Sequence, residues 1–216
     1  MVCKVLLEGE WLWLLPDKAV YWPARRCLLI ADAHFGKASA YRSLGQPVPQ
    51  GTTTTNLLRL DRLLSEYACE QVIFLGDLLH GPGSRASGTL NALRAWRERN
   101  NALEMTLIRG NHDKRAGDPP ADLRIDVVTE PLLMGPFALQ HEPHAHPHHH
   151  VLAGHVHPVY RLRGKGRQSL RLPCFQIGGR ISLLPAFGAF TGGQAVQQDN
   201  DRRIYVIGDH EVWPLG

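Results

Sequence analysis

Hydrophobic positions change their period near the middle of this chain, and the change divides it into two kinds of structure. At the start, Val5 and Leu7 and then Trp11, Trp13 and Leu15 alternate with their neighbours, and Ala19-Val20-Tyr21-Trp22 follows; Gly9, Pro16-Asp17 and Pro23 separate the runs. Alternation bounded by turn residues predicts short antiparallel strands. Cys27-Leu28-Leu29-Ile30-Ala31 has no polar position, the pattern of a strand buried on both faces. Leu57, Leu58, Leu60, Leu63 and Leu64 recur at helical spacing and predict a helix from about Thr53 to Tyr67. Val72-Ile73-Phe74-Leu75 and Met105-Thr106-Leu107-Ile108 read as further buried strands. Between them a helix from about Ser87 to Arg99 places Leu90, Leu93 and Trp96 on one face.

From Ile125 onward the strand-like segments crowd together: Ile125–Thr129, Leu132–Met134, Phe137–Gln140, His150–Ala153, Val159–Leu162, Ser169–Leu172, Ile204–Ile207 and Val212–Leu215. Alternating strands and helices followed by strands predict an α/β (α+β) fold. Two mixed β-sheets pack face to face with helices outside them, a four-layer αββα sandwich. The chain has 216 residues, no repeat and no linker-like tract, so one domain over residues 1–216 is expected. A composition of 44% hydrophobic and 20% charged residues excludes a disordered or collagen-like chain. No apolar run approaches the roughly 20 residues that span a bilayer. The first ten residues are too acidic, and their apolar part too short, for a signal peptide. The expected location is therefore the cytoplasm, with no membrane partner. Cys3, Cys27, Cys69 and Cys174 lie far apart without a CxxC pair, which fits reduced thiols. A net charge of +4 is compatible with a polyanionic partner and does not require one.

The chemistry lies in short polar clusters at or just past the ends of apolar runs. These are Asp32-Ala33-His34, Gly76-Asp77-Leu78-Leu79-His80, Gly110-Asn111-His112-Asp113, His141-Glu142 and Gly154-His155-Val156-His157. The carboxyl edge of an open α/β sheet is where ligands bind. A lone Asp-x-His is usually a capped turn; the whole series in order reads as a site for two metals. Two divalent ions about 3.5–4 Å apart clamp the attacking and leaving oxygens of a phosphoryl centre. Such a pair needs a bridging ligand, and Asp77 in its Gly-Asp turn is the best candidate. Mixed Asp, His and Asn donors favour Mn, Fe or Zn over Mg.

These clusters and their order resemble the calcineurin-like metallophosphoesterase superfamily, with its DxH, GDxx[DH], GNH[DE], lone His and GHxH motifs. The resemblance implies that Asp32, His34 and His157 hold one metal and Asn111, His141 and His155 the other, with Asp77 shared. It makes His112 the general acid or transition-state stabiliser, with Asp113 orienting it. His80 stands where many members have Asp and is expected to reach the substrate pocket rather than a metal. Serine/threonine protein phosphatases resemble GDxVDRG and GNHE instead, which this chain lacks. A metal-free scaffold on this fold would have lost ligands, and none is missing.

A narrower resemblance covers nearly the whole chain. Asp32-Ala33-His34-Phe35-Gly36-Lys37 is similar to the DLHLGK start of the DNA ligase-associated metallophosphoesterases. So are Pro47 to Thr53, Arg109 to Pro120, Arg171-Leu172-Pro173-Cys174-Phe175 and Leu184 to Gly193. That family is bacterial and accompanies a DNA-repair helicase and ligase. The resemblance implies a manganese-dependent phosphodiesterase acting as a single-strand DNA endonuclease, by in-line attack of a hydroxide bridging the metals. The alternative on the same ligands is a small-molecule phosphodiesterase for cyclic nucleotides or dinucleotides, or a pyrophosphatase. Lys37, Arg42, Lys114 and Arg115 follow metal-bearing turns, and Arg161 and Arg163 open a basic hairpin from Arg161 to Arg171. These six are the candidate DNA contacts. Phe35 and Tyr41 either stack on a base or pack in the core. His144, His146, His148 and His149 lie in a Pro-punctuated loop and are expected to face solvent.

Overall fold

The computed structural model of the protein describes residues 1–48, 51–166 and 168–215. Strands β1 (Cys3–Leu7), β2 (Glu10–Leu15), β3 (Ala19–Trp22) and β4 (Cys27–Ala31) run antiparallel through short connections. Next to β4, β5 (Gln71–Leu75), β6 (Glu104–Ile108) and β7 (Asp126–Val128) add in parallel, giving a seven-stranded mixed sheet in chain order. Parallel neighbours need long crossovers. α1 (Lys37–Ser43) and α2 (Thr52–Glu66) supply the first, α3 (Ser87–Arg99) the second, and α4 (Asn111–Ala116) begins the third. The sequence pattern anticipates α2 and α3. α1 and α4 are too short for a helical period to register.

The second sheet is built from β8 (Leu132–Met134), β9 (Phe137–Gln140), β10 (His150–Ala153), β11 (Pro158–Arg163), β12 (Ser169–Gly178), β13 (Ile181–Leu183), β14 (Gln194–Ala195), β15 (Arg202–Gly208) and β16 (Glu211–Pro214). Its order is β14-β11-β12-β13-β10-β9-β8, with β15 on β12 and β16 on β15. Here β9, β10 and β13 are parallel. β12 runs on to Gly178, past the Leu172 expected from the pattern, because its second half pairs with β15.

The two sheets face each other as expected. Leu12, Leu14, Trp22, Leu29 and Ile73 of the first meet Phe137, Leu139, Leu152, Phe175 and Ile207 of the second. The Trp22 and Phe137 rings meet edge to face at 5.1 Å. On the opposite side of the first sheet, Leu28, Ile30, Val72 and Phe74 pack on Leu57, Leu60 and Leu63 of α2 and Leu93 and Trp96 of α3. β4 therefore sends alternate residues to the helices and to the other sheet, which is why it carries no polar position. Both α2 and α3 pack on the first sheet, and no helix among the described residues follows Leu123. Behind the second sheet a small cluster of Ala138, Val151, Ala153 and Leu183 packs on Val156 and Ile181. No helix among the described residues is long and apolar enough to cross a membrane.

Register sets up the site. Ala31 pairs with Leu75 and Leu75 with Ile108, so β4, β5 and β6 end level with one another. In the second sheet Gln140 pairs with Ala153, and β9 and β10 end level too. Phe137, fully buried between the sheets at the start of β9, is a test of this frame. Phe137→Ala should lower stability by about 3–5 kcal/mol, read as a shift in the urea midpoint.

Candidate metal centre

Turns leaving these level strand ends carry the polar clusters. β4 is followed by Asp32 and His34, β5 by Asp77 and His80, β6 by Asn111, His112 and Asp113, β9 by His141, and β10 by His155 and His157. Asp32, His34, Asp77, His155 and His157 take left-handed backbone, with φ of 53°, 46°, 51°, 66° and 50°. Each such residue costs on the order of 1 kcal/mol, so the fold holds these side chains against local preference. Backbone bonds lock the turns: His34 N donates to Asp77 O at 2.9 Å and Phe35 N to Leu78 O at 2.8 Å. Gly76 combines a φ of 78° with a position where a Cβ would overlap the His141 ring. A Cβ on Gly110 would overlap the Asp77 carboxylate. Only glycine permits both approaches.

Polar atoms gather in two sets around Asp77. In the first, ligand atoms of Asp32, His34 and His157 all lie within 4.8 Å of one another. His157 Nε2 is 3.4 Å from Asp32 Oδ1, and His34 Nε2 is 3.8 Å from Asp77 Oδ2. In the second, Asn111 Oδ1 is 2.8 Å from His141 Nε2 and 3.1 Å from His155 Nδ1, and those ring nitrogens are 3.0 Å apart. His141 Nε2 also lies 3.5 Å from Asp77 Oδ1. Asp77 thus turns one oxygen toward each set.

Backbone carbonyls fix the rings. His141 Nδ1 is 3.1 Å from the Leu75 carbonyl and His157 Nδ1 is 3.3 Å from that of Gly192. A carbonyl only accepts, so Nδ1 carries the proton and the Nε2 lone pair points into the cluster. Asp32 Oδ1 and His34 Nδ1 are buried without a hydrogen-bond partner. Burial, reinforced by Lys37, holds His34 far below the usual imidazole range and so neutral. Burial raises the Asp77 carboxyl while His141 pulls it back down. Buried lone pairs converging without a donor between them are unfavourable unless a cation sits among them. The donor set fits two divalent ions.

His80 and His112 form the next layer. Their rings stack at 4.7 Å with 21° between planes, and the His34 ring meets them at 5.1 and 5.0 Å. Burial, with help from Lys37, brings His80 down to about 4. The ligand atoms of His34, His80 and His112 also fall within 4.8 Å of one another. His112 N donates to Asp77 Oδ1 at 2.9 Å, and its Nδ1 lies 2.6 Å from the His80 carbonyl. The orienting part expected of Asp113 therefore falls to that carbonyl. Asp113 is buried and accepts from Gly110 N at 3.0 Å and Leu79 N at 3.1 Å. At the third position of α4 its side chain reaches back to the cap, away from the His112 ring. It clamps the β6 turn to the β5 turn.

Lys37, buried at the start of α1, lies where Asp32 and Asp77 act on its charge. Arg42 donates to Val48 O and Ser39 Oγ, both at 3.3 Å, and is bound into the segment after α1. Lys114 and Arg115 are exposed on α4, and Arg161 and Arg163 on β11. Pro49, Gln50 and Arg167 lie outside the described residues. Phe35 is a core residue at 1% exposure and cannot stack on a base. The Tyr41 ring instead reaches the site, 5.4 Å from His80. His144 and His148 are exposed, and His146 Nδ1 accepts from the backbone of His148 and His149 at 3.3 and 3.1 Å.

One support escaped the sequence pattern. Glu130 Oε2 accepts from His141 N at 2.8 Å and Glu142 N at 3.0 Å, pinning the backbone of a ligand candidate. A single acid between two strands carries no signal. The glycine-rich character of residues 185–193 predicts a turn that shapes a pocket wall or a sheet edge. The segment forms a wall of the centre: Phe187 N donates to Ala31 O at 2.8 Å and Gly188 N to Asp32 O at 3.0 Å.

The sequence profile of the Metallophos family, described as calcineurin-like phosphoesterase, matches residues 25–142. Among solved structures, the nuclease MPE of Pseudomonas putida is similar at 54% identity over 100% of both chains, with a TM-score of 0.89. Yfce, a phosphoesterase from E. coli, is similar at 17% identity and a TM-score of 0.42 over 86% of this chain and 95% of its own. Comparison with curated proteins gives no match.

Both bonds to Glu130 use one carboxylate oxygen, which an amide oxygen can replace. Glu130→Gln should keep metal affinity, and Glu130→Ala should weaken one of two sites by about tenfold, as read by calorimetric titration with manganese. Equal binding by both variants would remove Glu130 from the site's support.

Proposed function

This chain belongs to the calcineurin-like phosphoesterase family, and from that premise we propose that it is a manganese-dependent phosphodiesterase cutting single-stranded DNA internally in bacterial DNA repair. The observation that carries the reading is the Asp77 carboxylate, with one oxygen 3.8 Å from His34 and the other 3.5 Å from His141. Asp32, His34 and His157 would hold one ion, Asn111, His141 and His155 the other, and Asp77 both. When bound, such a pair of ions supplies a nucleophile at neutral pH and neutralises charge on the phosphoryl oxygens.

The remaining work falls to side chains. His112, with Nδ1 held against the His80 carbonyl, presents Nε2 to the departing oxygen and delivers its proton there. His80, stacked against that ring, keeps it in place and forms the floor under the substrate. Lys37 faces the phosphoryl centre as a buried cation and offsets charge on a non-bridging oxygen. DNA as substrate is supported by the 54% identity to the Pseudomonas putida nuclease and by the stretches shared with DNA ligase-associated members. That resemblance also supports a cytoplasmic setting beside a repair helicase and ligase.

Asp77→Ala should abolish hydrolysis of bis(p-nitrophenyl) phosphate, since neither ion keeps its shared ligand. His112→Ala should reduce turnover by about 10²–10⁴-fold while manganese content stays at wild-type level. Loss of metal in that variant would make His112 structural. With manganese, the wild-type protein should cut circular single-stranded DNA and leave duplex DNA intact. Cleavage of cyclic dinucleotides in preference to circular single strands would overturn the nuclease reading and favour a small-molecule phosphodiesterase.

A further inference from the structure

Beside His157, and outside every role assigned above, lies a cleft of about 230 Å³. Its walls include Lys18 from the β2–β3 turn, Arg171 from β12, and Thr191, Gly192 and Gly193 from the late loop. Among the described residues no Asp or Glu lines it. Lys18 is held there by a left-handed backbone with φ of 64°. Its ammonium is lowered to about 8 by burial and then by Arg59. Arg171 Nη2 donates to Gly193 O at 2.6 Å, which fixes the guanidinium at the rim and leaves its other N–H groups for a ligand.

The cleft is built against the metal ligand itself. The Gly192 carbonyl, on the cleft wall, faces His157 Nδ1 at 3.3 Å. Gly193 packs so closely that a Cβ would come within 2.6 Å of Val159 Cγ1. Val159 pairs with Pro173 and Arg161 with Arg171 across the β11–β12 ladder. Side chains alternate along a strand, so Arg161 and Arg163 share the face on which Val159, Arg171 and Pro173 line the cleft. A basic track thus begins beside His157 and leads outward along the hairpin.

Cations gathered in a partly buried cleft without a counter-charge repel one another and favour an anion between them. We propose that this cleft binds the phosphate adjacent to the scissile one in a nucleic-acid strand, with Lys18 and Arg171 as its ligands and Arg161 and Arg163 continuing the path. The inference rests on the phosphodiesterase reading for the position of the scissile group. It assigns the direction in which the strand leaves the metals: past His157, not toward His80. Lys18 enters the substrate path from a turn far from every metal-bearing motif.

Calorimetry on the manganese-loaded protein reads this directly, with thymidine 3′,5′-bisphosphate compared against thymidine 5′-monophosphate and 3′-monophosphate. The bisphosphate should bind about tenfold tighter or better than either monophosphate, the contribution expected of charge-assisted hydrogen bonds. Lys18→Met and Arg171→Ala should each shrink that ratio toward one; because the ratio is taken within each variant, a general loss of folded protein does not imitate it. Equal affinity of the wild-type protein for the three nucleotides would overturn the proposal, as would an undiminished ratio in both variants. Affinity rather than turnover is measured, so a bisphosphate preference that both variants lose supports the cleft even if no DNA is cut. That combination would overturn the nuclease reading alone.

Discussion

The position of one carboxylate constrains most of this molecule. Asp77 has to face two groups of lone pairs at once, and each group joins residues carried by both sheets. His34 reaches it from the first sheet, while His141 reaches it from the second and His155 joins His141. For that to happen the two sheets must pack with the carboxyl ends of β4, β5 and β6 opposite those of β9 and β10. The inter-sheet core of Trp22, Leu29, Phe137, Leu139 and Phe175 fixes that alignment. Burial there has to exceed the cost of the left-handed turns at Asp32, His34, Asp77, His155 and His157.

What steadies the centre is largely backbone. Carbonyls of Leu75, Gly192 and His80 face the rings of His141, His157 and His112, so the orientation of each ring follows from strand ends and loops whose positions the sheets already determine. Glu130 and Asp113 act in the opposite sense, as buried or half-buried acids that accept from the backbone of neighbouring turns. Such a shell resists displacement more than a set of side-chain contacts does, because moving it means moving a strand. It also couples folding to metal: buried acceptors such as Asp32 Oδ1 lack a partner, and ions that bind only the folded chain stabilise it.

Charge on the protein is arranged unevenly around this centre. Lys37 is buried where the Asp32 and Asp77 carboxylates act on its charge. Lys18 and Arg171 line a cleft to one side of His157. With a net charge of +4, the protein has no large general attraction for polyanions, so local placement has to supply what the total does not. Elements from the start, middle and end of the chain meet at that cleft, which makes it a product of topology.

Local pattern alone determined most strands and the two long helices, because burial on one or both faces leaves a period in the chain; β13 and β14 are too short to leave one. The polar clusters were equally legible, since Asp, His and Asn at the ends of apolar runs are rare together. Pairing was not legible. Asp113 follows His112 directly, yet its oxygens go to Gly110 and Leu79 because it lies on the first turn of α4. Phe35 lies next to His34 and is a core residue, because the chain turns between them. Glu130 and Lys18 carry no pattern, and their surroundings are set by what the sheets bring beside them. A residue's period records which face of its own strand is dry. Which atoms it then meets is decided by the ends of strands distant in sequence, and only the packed sheets contain that information.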